Sequence, residues 1–239
     1  MKAMIFSAGL GTRFKPWTDH HPKALALVNG KSLLQRNIEY LAKYDITDVV
    51  VNVHHFSDQI RQAVHSNRGW GSNIMISDES DVILETGGGL LKAMPFLDGN
   101  ESFLTINVDI LTDLDLAAFI RFHREYNPLV SLAVSGRTTN RCFVFDDADR
   151  LIGWRNTQTG EEKIKIQQHP SYNKAFSGLS IFSHSFFSKL RLTGKFSLVD
   201  AFLSLAAEER ILGFDHSGDK WVDVGKPASV PIAESLFYE

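Results

Sequence analysis

The chain has 239 residues, of which 44% are hydrophobic and 22% charged, and its formal net charge is −3. This composition is that of a globular protein with one large domain or two small ones. The slightly acidic balance argues against a general nucleic-acid or membrane surface role, since either favours a basic face. The single cysteine, Cys142, excludes a disulfide framework and a cysteine-based zinc site. No apolar stretch has the length of a signal peptide core or a membrane span, so we expect a cytoplasmic protein.

A glycine-rich segment follows the first predicted strand, residues 3–6. Gly9 and Gly11 let the backbone take unusual conformations and approach a ligand closely. Successive backbone N–H groups in such a turn attract anions, and Arg13 and Lys23 add two positive charges. The segment therefore predicts a loop that binds polyphosphate.

Strands and helices alternate through the first half of the chain. Ser32 and Gln35 have the spacing of a capping box, which predicts a helix from residue 33, and Ser57 predicts the cap of the next helix. Further helices are predicted from residues 90 and 115, and strands at residues 48–53, 73–76 and 102–109. This order predicts an α/β fold with a Rossmann-like mixed, mostly parallel sheet and helices on both faces.

The second half of the chain is less regular. Strands are predicted at residues 129–135, 142–145, 175–182, 211–214 and 220–224, and a long loop or loose hairpin at 156–174. Ser197 is expected to open a helix, and Pro227 suits the first turn of a final one. No interdomain linker or internal repeat is visible, so we expect a single domain spanning residues 1–239.

Two aspartates lie at the ends of predicted strands: Asp109 is the last residue of the strand at 102–109, and Asp223 lies near the end of the strand at 220–224. In open α/β sheets, ligands bind beyond the carboxyl ends of the strands. Two carboxylates that face polyphosphate suit Mg²⁺, which takes one or two protein carboxylates together with phosphate oxygens and water. Taken alone, an aspartate in such a place is more often a helix cap or a turn residue.

Two common glycine-rich motifs do not fit the segment. A dinucleotide-binding fingerprint needs a third glycine where Phe14 stands, which opposes a dehydrogenase, and the Gly-Lys-Ser/Thr of a P-loop is absent. The motif that does fit is Gly9-x-Gly11-Thr12-Arg13 followed by Pro22-Lys23. It resembles the signature of the sugar-phosphate nucleotidylyltransferases.

The resemblance spans nearly the whole chain and implies a fold of the nucleotide-diphospho-sugar transferase type. It implies a nucleotide-binding part at about residues 1–112 and a sugar-binding part at about 113–239. The catalytic residues it implies are Arg13 and Lys23, and the Mg²⁺ ligands are Asp109 and Asp223. The nucleotide-binding residues it implies are Ala8, Gly9, Gly11, Thr12, Glu79, Thr86 and Gly87, and the sugar-binding residues are Ser177 and Gly178.

The implied reaction joins a nucleoside triphosphate to a sugar 1-phosphate and releases pyrophosphate. The compact length and the segments at 84–89 and 221–225 are most similar to the short uridylyltransferases of cell-wall recycling, which act on N-acetylmuramic acid 1-phosphate. Mannose-1-phosphate guanylyltransferases, cytidylyltransferases for a non-sugar phosphate and a non-catalytic regulatory protein that binds NDP-sugar are alternatives. We expect a monomer or small homo-oligomer without nucleic-acid or membrane partners. Asn156-Thr157 departs from the family pattern, so sugar recognition cannot be transferred from the larger relatives.

Overall fold

The computed structural model describes residues 1–238 of the chain. Within that range the strands are β1 (Lys2–Phe6), β2 (Leu27–Val28), β3 (Lys31–Ser32), β4 (Asp48–Val53), β5 (Asn73–Asp78), β6 (Phe103–Asn107), β7 (Ile110–Thr112), β8 (Val130–Ser135), β9 (Arg141–Asp146), β10 (Leu151–Asn156), β11 (Glu162–Ile164), β12 (Ser171–Phe182), β13 (Ile211–Asp215) and β14 (Trp221–Asp223). The helices are α1 (Leu33–Ala42), α2 (Ser57–Ser66), α3 (Glu85–Lys92), α4 (Met94–Leu97), α5 (Leu116–Tyr126), α6 (Phe186–Lys189), α7 (Leu198–Leu205) and α8 (Val230–Leu236). Short 3-10 turns lie at Thr12–Phe14, Trp17–Asp19, Lys23–Leu25, Arg68–Gly71 and Pro227–Ser229.

One large mixed sheet forms the centre of the fold. Its main row runs β11-β10-β9-β12-β6-β1-β4-β5, and β8 pairs with both β12 and β13 beside this row. The β6-β1-β4-β5 part and the β8–β13 pair are parallel, whereas β12 runs antiparallel to both β6 and β8. The predicted α/β fold with a mixed, mostly parallel central sheet is confirmed.

Helices cover both faces of this sheet. Ala3 and Ile5 of β1 belong to one apolar cluster, which includes the buried face of α1, with Leu34 and Ile38. Their neighbour Met4 belongs to the other cluster, together with α3, α6 and α7. Alternate residues of a strand point to opposite faces, so a central strand covered on both sides is apolar throughout.

The structure confirms one predicted helix cap fully, one in part, and corrects a third. Ser32 caps α1 by accepting a hydrogen bond from the Gln35 backbone N–H at 3.1 Å, but the Gln35 side chain donates to Glu39, so only half of the capping box forms. Ser57 is the first residue of α2 and provides no side-chain cap. Ser197 opens α7 as expected, and there both bonds of a capping box are present.

Three predicted boundaries are corrected by the structure. Helix α3 starts at Glu85, so the glycines at 87–89 lie inside it rather than before it. Strand β6 ends at Asn107, which places Asp109 in the turn between β6 and β7. The polar span 156–174 is a hairpin in part, because β11 pairs with β10, and its last residues already belong to β12.

Candidate active site

A cleft of about 470 Å³ lies at the carboxyl ends of β1, β4, β5 and β6. This edge is the one at which parallel α/β sheets bind ligands. The predicted site residues in its lining are Ala8, Gly9, Gly11, Thr12, Arg13, Lys23, Glu79, Thr86 and Asp109. The predicted residues Gly87, Ser177, Gly178 and Asp223 do not belong to that lining.

The glycine-rich segment forms a tight turn at the mouth of the cleft. Gly11 has φ +60° and accepts a hydrogen bond from the Thr18 hydroxyl at 3.0 Å through its carbonyl oxygen. A Cβ at this glycine would lie 2.9 Å from Cγ2 of Thr18 and 3.1 Å from Cβ of Lys23. Only glycine meets both conditions, since a side chain at positive φ is strained as well as crowded. At Gly9, by contrast, a Cβ would have no neighbour within 4 Å, which leaves that backbone open toward the cleft.

An ion pair joins the glycine-rich segment to the turn after β6. The Lys23 ammonium contacts the Asp109 carboxylate, and the two side chains are only 11% and 20% exposed. Such a charge-assisted contact is strong where solvent is partly excluded. The predicted catalytic cation and the predicted metal ligand are therefore in direct contact.

Asp223 reaches the same place through a short two-stranded ribbon. Strand β14 runs antiparallel to β7, with Asp223 opposite Ile110, and the backbone N–H of Val224 donates to the Asp109 carbonyl at 2.8 Å. The Asp223 carboxylate is half-buried, and its Oδ1 is buried without a hydrogen-bond partner within residues 1–238. Burial first, and then the nearby charge of Asp109, raise the pKa of Asp223. The ribbon thus brings the two predicted metal ligands together.

Gly225 lies between the side chains of Asp223 and Arg13. A Cβ at Gly225 would lie 2.7 Å from Asp223 Oδ1 and 2.9 Å from Arg13 Nη2. The absence of a side chain at this position lets the guanidinium and the carboxylate approach each other. The sequence pattern assigned no role to Gly225. Its place in the family-like segment 221–225 was the available signal.

The two aspartates offer the donor chemistry of a divalent-cation site. Asp109 and Asp223 supply hard carboxylate oxygens, and one oxygen of Asp223 is buried without a partner. Residues 1–238 contain no group of three or more His, Cys, Asp or Glu arranged to hold a metal ion. A site with only two protein carboxylates fits a cation that takes its other ligands from phosphate and water.

Glu79, which is predicted to bind the nucleotide, is deeply buried at the edge of the cleft. Its side chain is 1% exposed, and it accepts hydrogen bonds from Asn52 Nδ2 at 2.7 Å and from the Leu84 backbone N–H at 3.4 Å. Burial raises the pKa of Glu79 in spite of these two bonds. Asn52 also accepts a bond at 2.7 Å from the backbone N–H of Ser7, the residue before the glycine-rich segment. Glu79 and Asn52 therefore fix the start of that segment; the polar Asn52 within an apolar strand was the available signal.

Two glycines of α3, Gly87 and Gly88, pack closely against residues 194–196. A Cβ at Gly87 would lie 2.4 Å from the Phe196 ring, and one at Gly88 would lie 2.2 Å from the Gly194 carbonyl oxygen. The N–H groups of Gly87 and Gly88 both donate to the Phe196 carbonyl. Thr86, which does line the cleft, accepts a hydrogen bond from the Leu198 backbone N–H at 2.9 Å. Packing accounts for Gly87, whereas Thr86 borders the ligand space.

Ser177 and Gly178 form a bulge in β12 next to the β6–β7 turn. The Ser177 hydroxyl is fully buried in a 2.6 Å hydrogen bond with His216 Nε2, and its carbonyl accepts from the Trp221 indole N–H at 2.9 Å. Gly178 has φ +82°, and a Cβ there would lie 2.8 Å from Ile110 and 3.1 Å from the Asn107 amide. The side chain of Ser177 is thus used internally, and only the backbone of this bulge can face a ligand.

Comparison with known proteins identifies the family of this chain. A model of the nucleotidyl transferase family matches residues 2–236. An N-acetylmuramate alpha-1-phosphate uridylyltransferase of Caulobacter vibrioides is 30% identical, covering 99% of this chain and 97% of that protein. One of the same name from Neisseria meningitidis serogroup B is 28% identical, covering 99% of this chain and 98% of that protein. The crystal structure of HddC from Yersinia pseudotuberculosis complexed with GMP-PN superposes with a TM-score of 0.79 at 21% identity, covering 99% of both chains, and shows the shared fold.

Residues 1–238 contain no helix with the length and apolar character needed to cross a membrane.

The family match extends over nearly the entire chain, and two relatives align over almost their full length. The predicted resemblance and the predicted class of enzyme are therefore confirmed: the chain belongs to the nucleotidyl transferase family.

Proposed function

We propose that the chain joins UTP to N-acetylmuramic acid 1-phosphate and releases pyrophosphate. The observation that supports the reaction type is the meeting of Arg13, Lys23 and Asp109 in the lining of a cleft bordered by a glycine-rich turn. The β7–β14 ribbon brings Asp223 beside Asp109. The names of the relatives from Caulobacter vibrioides and Neisseria meningitidis support this pair of substrates.

The proposed chemistry needs no general base. A phosphate monoester is mostly dianionic at pH 7, since its second pKa is about 6, so the attacking oxygen carries no proton that must be removed. Both substrates are anions. The enzyme must therefore cancel their repulsion and hold the attacking and leaving oxygens in line, which is a matter of charge and positioning.

The cations of the cleft divide between the two substrates. We assign Arg13, which is exposed at the mouth, to the charge on the leaving pyrophosphate. We assign Lys23, which is more enclosed, to the attacking phosphate or the α-phosphate. Backbone N–H groups of Gly9 and its neighbours, toward which the ligand space is open, would hold the remaining phosphates.

Asp109 and Asp223 are the residues that would hold Mg²⁺. When bound there, the ion would supply positive charge to the phosphates at the point where the new bond forms. The buried Oδ1 of Asp223 without a partner and the raised pKa of this carboxyl group support the assignment, because a cation would satisfy both. In the proposed arrangement, Lys23 leaves its ion pair with Asp109 and its ammonium turns to phosphate.

The two parts of the chain are assigned to the two substrates. We propose that residues 1–112 bind the nucleotide, with Glu79 supporting the site and Thr86 bordering the base and ribose. Residues 113–239 are proposed to bind the sugar, with the backbone at Ser177 and Gly178 beside the turn that carries Asp109.

The experiment that tests this function is pyrophosphate release in Mg²⁺. UTP, GTP, CTP and dTTP are each combined with the 1-phosphates of N-acetylmuramic acid, N-acetylglucosamine, glucose and mannose. The highest kcat/KM is expected for UTP with N-acetylmuramic acid 1-phosphate. A preference for GTP with mannose 1-phosphate would retain the reaction and overturn the substrate, and no release from any pair would overturn the function.

A further inference from the structure

Arg137 is held rigidly beside the candidate sugar-binding bulge. It follows β8, and its guanidinium carbon lies 3.9 Å from the centroid of the Trp221 ring. Its Nη2 donates to the Phe176 carbonyl at 2.5 Å, directly before Ser177. A guanidinium stacked on an aromatic ring and bonded to backbone is fixed in one orientation, which lowers the entropy lost when it binds a ligand.

Within residues 1–238 this arginine forms no ion pair, and its Nε is buried without a hydrogen-bond acceptor. Burial lowers the pKa of Arg137, and the more distant charge of Asp223 only partly opposes this. Arg155, on the neighbouring part of the sheet, differs from Arg137 in forming an ion pair, with 2.6 Å between its guanidinium and the Glu162 carboxylate. A half-buried cation without an ion pair is energetically unfavourable unless a bound anion neutralises its charge.

The position of Arg137 separates it from the cations at the glycine-rich turn. Trp221 and Asp223 are two residues apart in β14, so their side chains lie on the same face of the ribbon. Asp223 pairs with Ile110, which follows Asp109 directly, whereas Trp221 pairs with Thr112 and lies further from Asp109. The guanidinium over Trp221 borders a hollow of about 420 Å³, whose charged members besides Arg137 are Asp219 and His216. Asp219 lies 3.6 Å from His216 Nδ1, so its carboxylate faces the imidazole. Arg137 is therefore the cation on the sugar side of the site.

We infer that the guanidinium of Arg137 binds an anionic group of the acceptor, either a carboxylate on the sugar or the sugar phosphate itself. The inference rests on the proposed function, because it assigns a residue to the acceptor of that reaction. A planar guanidinium presents parallel N–H donors that match two oxygens of a carboxylate or a phosphate. Nothing in the sequence pattern singled this residue out, since the family motif does not include it.

The test compares two acceptors that share the phosphate and differ in the carboxylate: N-acetylmuramic acid 1-phosphate, which carries a lactyl carboxylate, and N-acetylglucosamine 1-phosphate, which does not. Steady-state kinetics with UTP and Mg²⁺ and calorimetric Kd values for each acceptor are measured on the full chain. The variants are Arg137→Gln, Arg137→Lys and, as a matched control, Arg141→Gln, whose side chain is exposed in β9. Unfolding temperatures are recorded for all four proteins.

For Arg137→Gln we expect acceptor affinity and kcat/KM to fall about 10- to 100-fold, the range for a hydrogen bond to a charged group. A loss confined to N-acetylmuramic acid 1-phosphate identifies the carboxylate, and an equal loss for both acceptors identifies the phosphate. Arg137→Lys is expected to recover part of either loss, since it keeps the charge but not the fork of donors.

The inference is overturned if Arg137→Gln matches Arg141→Gln in kinetics and Kd. It is also overturned if only the KM for UTP changes, or if the unfolding temperature falls while the Kd values for both acceptors stay the same. Absence of turnover in the unmodified protein would refute the proposed function. In that case the calorimetric Kd values still decide whether Arg137 binds the acceptors.

Discussion

Lys23 and Asp109 lie 86 positions apart in the chain, yet their side chains form a largely buried ion pair in the lining of the cleft. The pair ties the glycine-rich segment to the β6–β7 turn. It also sets up a competition, because the carboxylate that Lys23 neutralises is one of the two that suit a divalent cation. The catalytic proposals for both residues therefore depend on how this contact responds to ligands.

Removal of either partner is expected to reduce turnover strongly. We expect kcat for pyrophosphate release to fall roughly 10²- to 10³-fold in Lys23→Ala, Asp109→Ala and Arg13→Ala, the loss typical of one charged contact in a water-poor site. Asp147→Asn, at an exposed turn, is the control and should keep normal turnover. Near-normal turnover in Asp109→Ala would refute the metal assignment.

Asp223→Asn is expected to separate stability from activity. The pKa of Asp223 is higher in the folded protein than its ordinary value of 3.8. Protonation of Asp223 therefore stabilises the folded state below pH 3.8, and this contribution is lost as the pH rises through the folded-state pKa. At pH 7 the ionised group therefore opposes folding. We expect Asp223→Asn, in EDTA at pH 7, to unfold about 2–4 °C above the unmodified protein, while its turnover in Mg²⁺ falls as for Asp109→Ala.

Differential scanning calorimetry and the pyrophosphate assay measure the two effects. The same variant measured at pH 4 provides the internal control, since the stability gain should shrink as Asp223 takes up a proton. A lower unfolding temperature at pH 7 would show that Asp223 stabilises the fold and would contradict this account of its burial.

Gly225→Ala is expected to impair the site without harming the fold. The new Cβ would lie 2.7 Å from Asp223 Oδ1 and 2.9 Å from Arg13 Nη2, both at the ends of flexible side chains that can move away. A displacement of about 1 Å at reacting groups costs roughly 10² in rate, so we expect that loss in kcat with an unchanged unfolding temperature. Gly218→Ala is the matched control, since a Cβ there meets nothing within 4 Å. Equal activity of the two variants would rule out the proposed approach of Arg13 to Asp223.

A buried histidine is expected to make the protein acid-sensitive. His123 of α5 hydrogen-bonds with Ser131 at 2.8 Å and Ser102 at 3.2 Å, and burial lowers its pKa to about 4. Between pH 6.5 and 4 the unfolded chain binds a proton that the folded protein does not, so stability falls over this window, by up to about 3 kcal/mol. Denaturant unfolding at several pH values measures the slope. In His123→Gln this part of the slope should vanish, whereas in the exposed control His184→Gln it should remain.

Local patterns predicted the frame of the fold well. The apolar run Asp48–Val53 is a strand with its exact predicted bounds, and Ser197 opens α7, because burial on both faces and capping are decided by neighbouring residues. The position of Asp109 was predicted less well. Strand β6 stops at Asn107 because the chain then turns into β7, whose partner β14 lies more than 100 residues later in the sequence.

Contacts between distant segments explain what the sequence could not predict. The glycines at 87–89 resemble a helix-initiating loop, but Phe196 and Gly194 pack against Gly87 and Gly88, so helix α3 can include them. Arg137 carried no signal in the sequence, since its significance comes from its contact with Trp221 and from the lack of an ion pair to it among residues 1–238. The glycine-rich motif was local and recognisable, whereas the surroundings of Arg137 are built from long-range contacts.

The β7–β14 ribbon has a consequence for when activity can arise during synthesis. Lys23 and Asp109 leave the ribosome early, and the parallel strands beside them can assemble as soon as β6 is made. Asp223 joins them only after β14 has been synthesised and has paired with β7. Asp223 therefore reaches Asp109 only late in synthesis, and on the proposed metal assignment turnover is expected to begin only after β14 has been made.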